Sequence, residues 1–509
     1  MRRGYYYHLP SPPNNKPETS LRLLQSSKPF HTGFAQLQKA AVAMDFCVDK
    51  NHLDKCAWEA SPPLLVHEGE VLLKINKFSF TANNISYGAT GDALKYWEFF
   101  PTLDQDKGRI PVWGVATIVA SRCSGLQEGR KVYGYFSMSH YVVTQPIHVN
   151  HADFIDGLPH RRGLPALYNQ YFLCDEDPFY TPRIEDAMMV LRPLFLTSWL
   201  LVDFFSHPTS QQGGAPFFGS QSIILSSASS KTSIGLAFQL YQYNRRQQEQ
   251  EQGTEPMHVV GLTSARHLAL VESLQIYDHI IVYDDLETKL DASRPTCFVD
   301  MAGNTKLTTR IHNHLGNNAK YTCLVGAAHV GQGGKPASPL PGARPKFFFA
   351  PSWAAQRAQE MGQSNKRRGL QVRKSVGVCV CVFFFKKERK WQAVISDAPF
   401  CLDDHGFISC FHPSLCTSYH PQIMMHQVVL DYRNFVNWCL GVMDHNLDER
   451  RNGARPWLHM KYYQGPQQVS KGYTKCLKGE VEPDTAVIMS LWDSQEETQP
   501  TTNPTLSKL

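Results

Sequence analysis

Between residues 222 and 330 the chain alternates short apolar runs with helical patterns, and this alternation leaves little choice of architecture. Ile223–Leu225, Met257–Gly261, Ile280–Tyr283, Thr296–Asp300 and Tyr321–Gly326 read as buried strands. Ile234–Tyr243, His267–Leu274 and Leu307–Leu315 read as helices. Strands joined through helices lie parallel and keep both faces covered, so the spacing predicts an α/β fold with a doubly wound parallel sheet.

A β-rich block precedes it. Val71–Phe80, Ile110–Ala120, Lys131–Phe136 and His140–Val143 read as strands, with turns at Ser124-Gly125 and Glu128-Gly129. Residues 183–206 then carry Leu191, Leu194, Phe195, Trp199 and Val202 at helical spacing. Late in the chain, Val428–Val442 reads as a helix and Ala486–Trp492 as a strand. The length of 509 residues suits two or three domains. The expected division is residues 45–195 with 428–492, residues 196–350, and two atypical segments, 1–44 and 363–425.

Charge singles out the same two segments. Residues 1–44 carry a net +5 and residues 363–390 a net +8, while the whole chain carries only +6. The remainder is therefore mildly acidic, which argues against a nucleic-acid-binding face. Residues 1–44 read as a disordered tail, an extension ahead of a start at Met44, or a presequence that would direct the chain to mitochondria. Residues 363–425 form an irregular insertion, either native or translated non-coding sequence. Within it Cys401, His405, Cys410, His412, Cys416 and His420 are of ligand type, but their spacing fits no zinc-finger pattern, so no metal is expected. The longest apolar run, Val376–Phe385, is too short to span a bilayer, and no membrane partner is expected. Thirteen cysteines without a C-x-x-C motif favour a reducing compartment, with the cytoplasm as the expected location.

The turn after the first parallel strand is Ser226-Ser-Ala-Ser-Ser-Lys-Thr-Ser-Ile-Gly235. In a dinucleotide fold this turn approaches a pyrophosphate through backbone amides at a helix start. Only Gly235 stands where a fingerprint glycine would. Ser229, Ser230 and Thr232 offer hydroxyls and Lys231 a charge. The turn is a poor G-x-G-x-x-G and lacks both glycines of a nucleoside-triphosphate loop. After the second strand come Thr263, Ser264 and Arg266, with no acidic residue for a ribose 2′-hydroxyl. These donors favour NADPH over NADH if a dinucleotide binds; the alternative is an ordinary turn. Gly303 and Gly326 end the fourth and fifth strands on the ligand-facing edge.

Several strings carry a resemblance. Glu128-Gly-Arg-Lys-Val-Tyr-Gly134 is similar to the "G-D-R-V-x-G" turn of the medium-chain dehydrogenase/reductase superfamily, on its zinc-free side of quinone and enoyl reductases. Thr81-Ala-Asn-Asn84, Tyr96–Pro101, Arg192–Ser198, Ala228–Thr232 and Phe347–Pro351 resemble an uncharacterised family of such reductase-like proteins, grouped only as a domain of unknown function. The resemblance covers roughly residues 64–362 and 428–492. It implies a GroES-like β-rich substrate domain joined to a Rossmann-type parallel sheet, NADP as cofactor, and hydride transfer to an enone or quinone-like carbonyl. A homodimer is the expected assembly. No Gly-His-Glu string and no four-cysteine zinc lobe is present.

By the same resemblance Asn84 and Tyr87 lie beside the nicotinamide. A Tyr or Asn there can stabilise an enolate-like oxygen. Tyr96 and Trp97 suit a flat substrate, or else are core aromatics. The rival function is a non-catalytic relative, kept as a binding or scaffold protein with a degenerate nucleotide pocket.

Overall fold

The computed structural model describes residues 43–62, 64–207, 214–249, 255–301, 303–325, 339–367, 401–402, 408–409, 421–442 and 456–493. Residues 1–42 of the expected tail and most of the expected insertion, with all of its Cys/His cluster except Cys401, lie outside the described residues.

The doubly wound sheet has six parallel strands: Ser222–Leu225, His258–Thr263, His279–Val282, Thr296–Asp300, Ala319–Leu324 and Lys346–Phe347. Their order across the sheet is third, second, first, fourth, fifth, sixth. That is the order of the dinucleotide-binding Rossmann fold, in which the winding reverses beside the first strand. The first strand is buried throughout, as a central parallel strand with both faces covered must be. Helix Lys231–Glu249 follows it directly, and helix Thr305–Leu315 follows the fourth strand. The latter starts where the Asn304 side chain accepts from the Leu307 amide at 3.1 Å.

The β-rich part is a nine-stranded sheet built around Val71–Phe80. This strand pairs antiparallel with Pro111–Ser121 on one side. On its other side it pairs with Tyr141–Thr144 and with Thr485–Ser490, the last strand among the described residues. Thr485–Ser490 is parallel to His459–Gln464 at the sheet edge. The fold is thus α/β, a GroES-like β-rich part with a Rossmann-type sheet.

Helix Glu185–Ser206 touches both parts. At its start Lys77 of the β-rich sheet pairs with Glu185 at 2.8 Å. Further along, Ser198 Oγ donates to the Thr232 carbonyl of the following helix at 2.9 Å. The segment Pro182–Ser206 is long and apolar enough to cross a membrane, but two-thirds of its most apolar window is buried inside the protein. Its apolarity is that of a core helix. On its inner face Arg192 pairs with Asp177, and its guanidinium lies 4.5 Å from the rings of Tyr133 and Phe172. Helix Pro421–Cys439 adds Tyr432 and Phe435 against Phe195, at ring distances of 5.3 and 5.4 Å.

Candidate functional site

In sheets of this strand order a crevice lies at the C-terminal ends of the strands where the winding reverses, here beside the first and fourth. One wall is the turn Ser226–Ser230. Its sharpest point is Ser227, whose φ of +50° is the left-handed conformation where a fingerprint glycine would stand. The Ser227 amide donates to the Tyr283 hydroxyl at 2.8 Å, and Tyr277 donates its hydroxyl to the Ala228 carbonyl at 2.8 Å. Two tyrosines from around the third strand therefore fix the turn from outside. Burial raises both phenols above their ordinary values, so each hydroxyl stays neutral.

The opposite wall is held by Asp300. This fully buried carboxylate accepts from Ser226 Oγ at 3.2 Å, the Gly303 amide at 3.0 Å and Thr308 Oγ1 at 3.2 Å. Gly303 adopts φ +70°, as a tight strand-ending turn demands. Gly326 lies outside the described residues.

The residues expected to meet a cofactor divide into two groups. Ser229 and Ser264 stay at the crevice, where each hydroxyl lies 3.3 Å from Nδ1 of His267. Thr263 is buried at the end of the second strand, and its hydroxyl has no partner among the described residues. At the helix start, the amides of Ser229, Lys231 and Thr232 likewise find no partner among the described residues. These are the orphan donors of a helix N-terminus, and they suit an anion.

The remaining residues make contacts of their own within the fold. Ser230 Oγ accepts from the Ser233 amide at 3.3 Å and caps the helix. Lys231 turns its ammonium away, donating to the carbonyls of Pro483 and Thr485, both at 2.7 Å. Burial depresses this amine to about 8, and Asp484 opposes the shift only in part. A Cβ at Gly235 would stand 2.9 Å from Ser198 Oγ, so this glycine allows two helices to approach. Arg266 pairs with Glu482.

A second candidate site is a buried aromatic cluster in the β-rich part. Helix Ala82–Ala89 places Asn83, Asn84 and Tyr87. Asn84 closes a capping box, accepting from the Thr81 amide at 2.8 Å, and donates to the Pro111 carbonyl at 2.9 Å. Tyr87 is buried, and its hydroxyl accepts from Asn83 Nδ2 at 2.8 Å and Trp113 Nε1 at 3.4 Å. Burial raises the phenol, with the hydrogen bonds opposing. Tyr96 packs on it at 4.5 Å between ring centres, and the Tyr96 and Tyr168 hydroxyls lie 3.2 Å apart. Trp97 points the other way, into the core behind the sheet, where it lies over Gly91 and Gly108. Adjacent in sequence, Tyr96 and Trp97 thus serve different cores.

Sequence reasoning placed the Asp300–Asn304 string on the ligand-facing edge through Gly303, and passed over Tyr277, His267 and Glu482. Glu482 carried no signal.

A family model described as "Protein of unknown function (DUF2855)" matches residues 78–382. The chain belongs to this family. The match takes in Tyr87, the crevice turn, Thr263–Arg266 and Asp300, and it ends before the C-terminal return that carries Glu482. No curated protein matches the chain in sequence. Similar solved structures include CurA in complex with NADPH from Vibrio vulnificus, 11% identical over 89% of this chain and 97% of that one, TM-score 0.43. A mutant form of enoyl thioester reductase from Candida tropicalis is 10% identical over 88% of this chain and 100% of that one, TM-score 0.44.

Proposed function

We propose that this protein binds NADPH in the crevice of the parallel sheet and reduces an enone or quinone-like carbonyl. The observation that supports it best is the third-second-first-fourth strand order with unpartnered amides at its reversal point. The amides of Ser229, Lys231 and Thr232 would face the diphosphate, and Ser264 and Arg266 the 2′-phosphate. The orphan Thr263 hydroxyl gives the ribose end a buried polar partner. NADPH, when bound, supplies the hydride.

Tyr87 is the proposed donor to the substrate oxygen. Asn83 and Trp113 both donate to its hydroxyl, which leaves its own proton to give. A neutral phenol held by two donors can stabilise an oxygen that gains negative charge. Asn83 positions it, and Asn84 keeps the helix in place through its cap. Tyr96 lies against the same ring and would bound a flat substrate.

Calorimetric titration of the full chain with NADPH and NADH tests this reading. Saturable NADPH binding, tighter than NADH, is expected. Heat from neither nucleotide would transfer the weight to a second reading, a non-catalytic binding protein. That reading draws on the Ser227 amide already taken by Tyr283 and on Lys231 turned toward Pro483.

A further inference from the structure

Dinucleotide folds that take NADH place an acidic residue just after the second strand, and this chain has Arg266 there instead. The fold, however, brings an acid to that place from elsewhere. Glu482, 216 residues further on in the turn before the last strand, pairs with Arg266. Its other oxygen lies 3.8 Å from Nε2 of His267. His267 in turn joins Ser229 of the first loop to Ser264 of the second through Nδ1. The carboxylate therefore sits on the cationic edge formed by Arg266 and His267 after the second strand.

We propose that Glu482 is a specificity-determining residue that offsets the Arg266 preference for a 2′-phosphorylated dinucleotide. It does so in two ways of the same sign. It competes with a 2′-phosphate for the guanidinium, and it is the acceptor that a 2′-hydroxyl would otherwise lack. The pair is about half exposed on both sides, so it adds little to the fold and its loss is tolerated. Position 482 is held independently by the two hydrogen bonds from Lys231 to Pro483 and Thr485. Neutralising the acid thus changes charge without releasing the turn.

The inference rests on dinucleotide binding in this crevice, and one experiment separates the two. Dissociation constants for NADPH and NADH are measured calorimetrically on the full chain, as wild type, Glu482→Gln and Glu482→Gln/Arg266→Gln. The expected result is a roughly tenfold rise in the NADPH-over-NADH preference for Glu482→Gln, lost again in the double variant. Binding of both nucleotides with an unchanged or lowered ratio in Glu482→Gln would overturn the role of Glu482 alone. Binding of neither nucleotide by any form would overturn the dinucleotide reading and this inference with it.

Discussion

Ser79 donates its hydroxyl to the Met189 carbonyl at 2.8 Å, and Met189 is the residue whose helical partner four positions on is Pro193. Proline has no amide hydrogen, so the helix cannot satisfy that carbonyl itself. A side chain from the central strand of the β-rich sheet does it instead. Ser79→Ala would leave a buried acceptor unmet and should cost about 1–3 kcal/mol. Denaturant unfolding measures it, and an unchanged midpoint would show that the carbonyl finds another donor.

Lys231 gives the protein a pH dependence of definite sign. Its amine is depressed to about 8 from an ordinary 10.5, chiefly by burial. Between those values the unfolded chain binds the extra proton, so stability rises with pH and is lowest below pH 8. Relative to Lys231→Met, the wild type should gain about 2 kcal/mol between pH 7 and 9.5. Parallel unfolding curves for the two proteins across that range would contradict the burial of the charge.

Tyr87→Phe keeps the ring and its packing on Tyr96 while removing the hydroxyl. If Tyr87 is the donor, turnover should fall about 10²–10³-fold with nucleotide affinity unchanged. Steady-state rates on an enone and quinone panel measure it. Full activity of the variant would pass the role to Tyr96.

Gly235→Ala separates packing from cofactor contact. The added methyl meets Ser198 Oγ, so a loss of about 1–3 kcal/mol is expected while NADPH affinity holds. A stable variant with weakened nucleotide binding would return Gly235 to the cofactor site.

The parallel sheet was legible because each of its first five strands carries a short apolar run between helical patterns. The sixth, Lys346–Phe347, was missed, since two exposed residues carry no periodicity. His459–Gln464 was missed for a related reason. It is an edge strand with mostly exposed side chains, so no face is selected for apolarity. Trp97 could not be told from Tyr96 because adjacent residues face opposite cores only once the backbone is known. The crevice itself was legible as a turn of small hydroxyl residues, but its partners were not. Tyr283 and Glu482 reach it from positions 56 and 216 residues away from the residues they bond. No local pattern encodes such a contact.

The last strand, Thr485–Ser490, lies between His459–Gln464 and Val71–Phe80, and its preceding turn receives Lys231. During synthesis on the ribosome, the Phe78–Phe80 end of the central strand of the β-rich part therefore waits with one edge unpaired while some four hundred further residues emerge, although Val71–Lys74 can already pair with Tyr141–Thr144. The Rossmann-type sheet closes on contacts made wholly between residues 222 and 347, so it can form first. The β-rich sheet is thus complete only once residue 490 has been made, and a nascent chain stalled before residue 485 would expose the Phe78–Phe80 edge to chaperones.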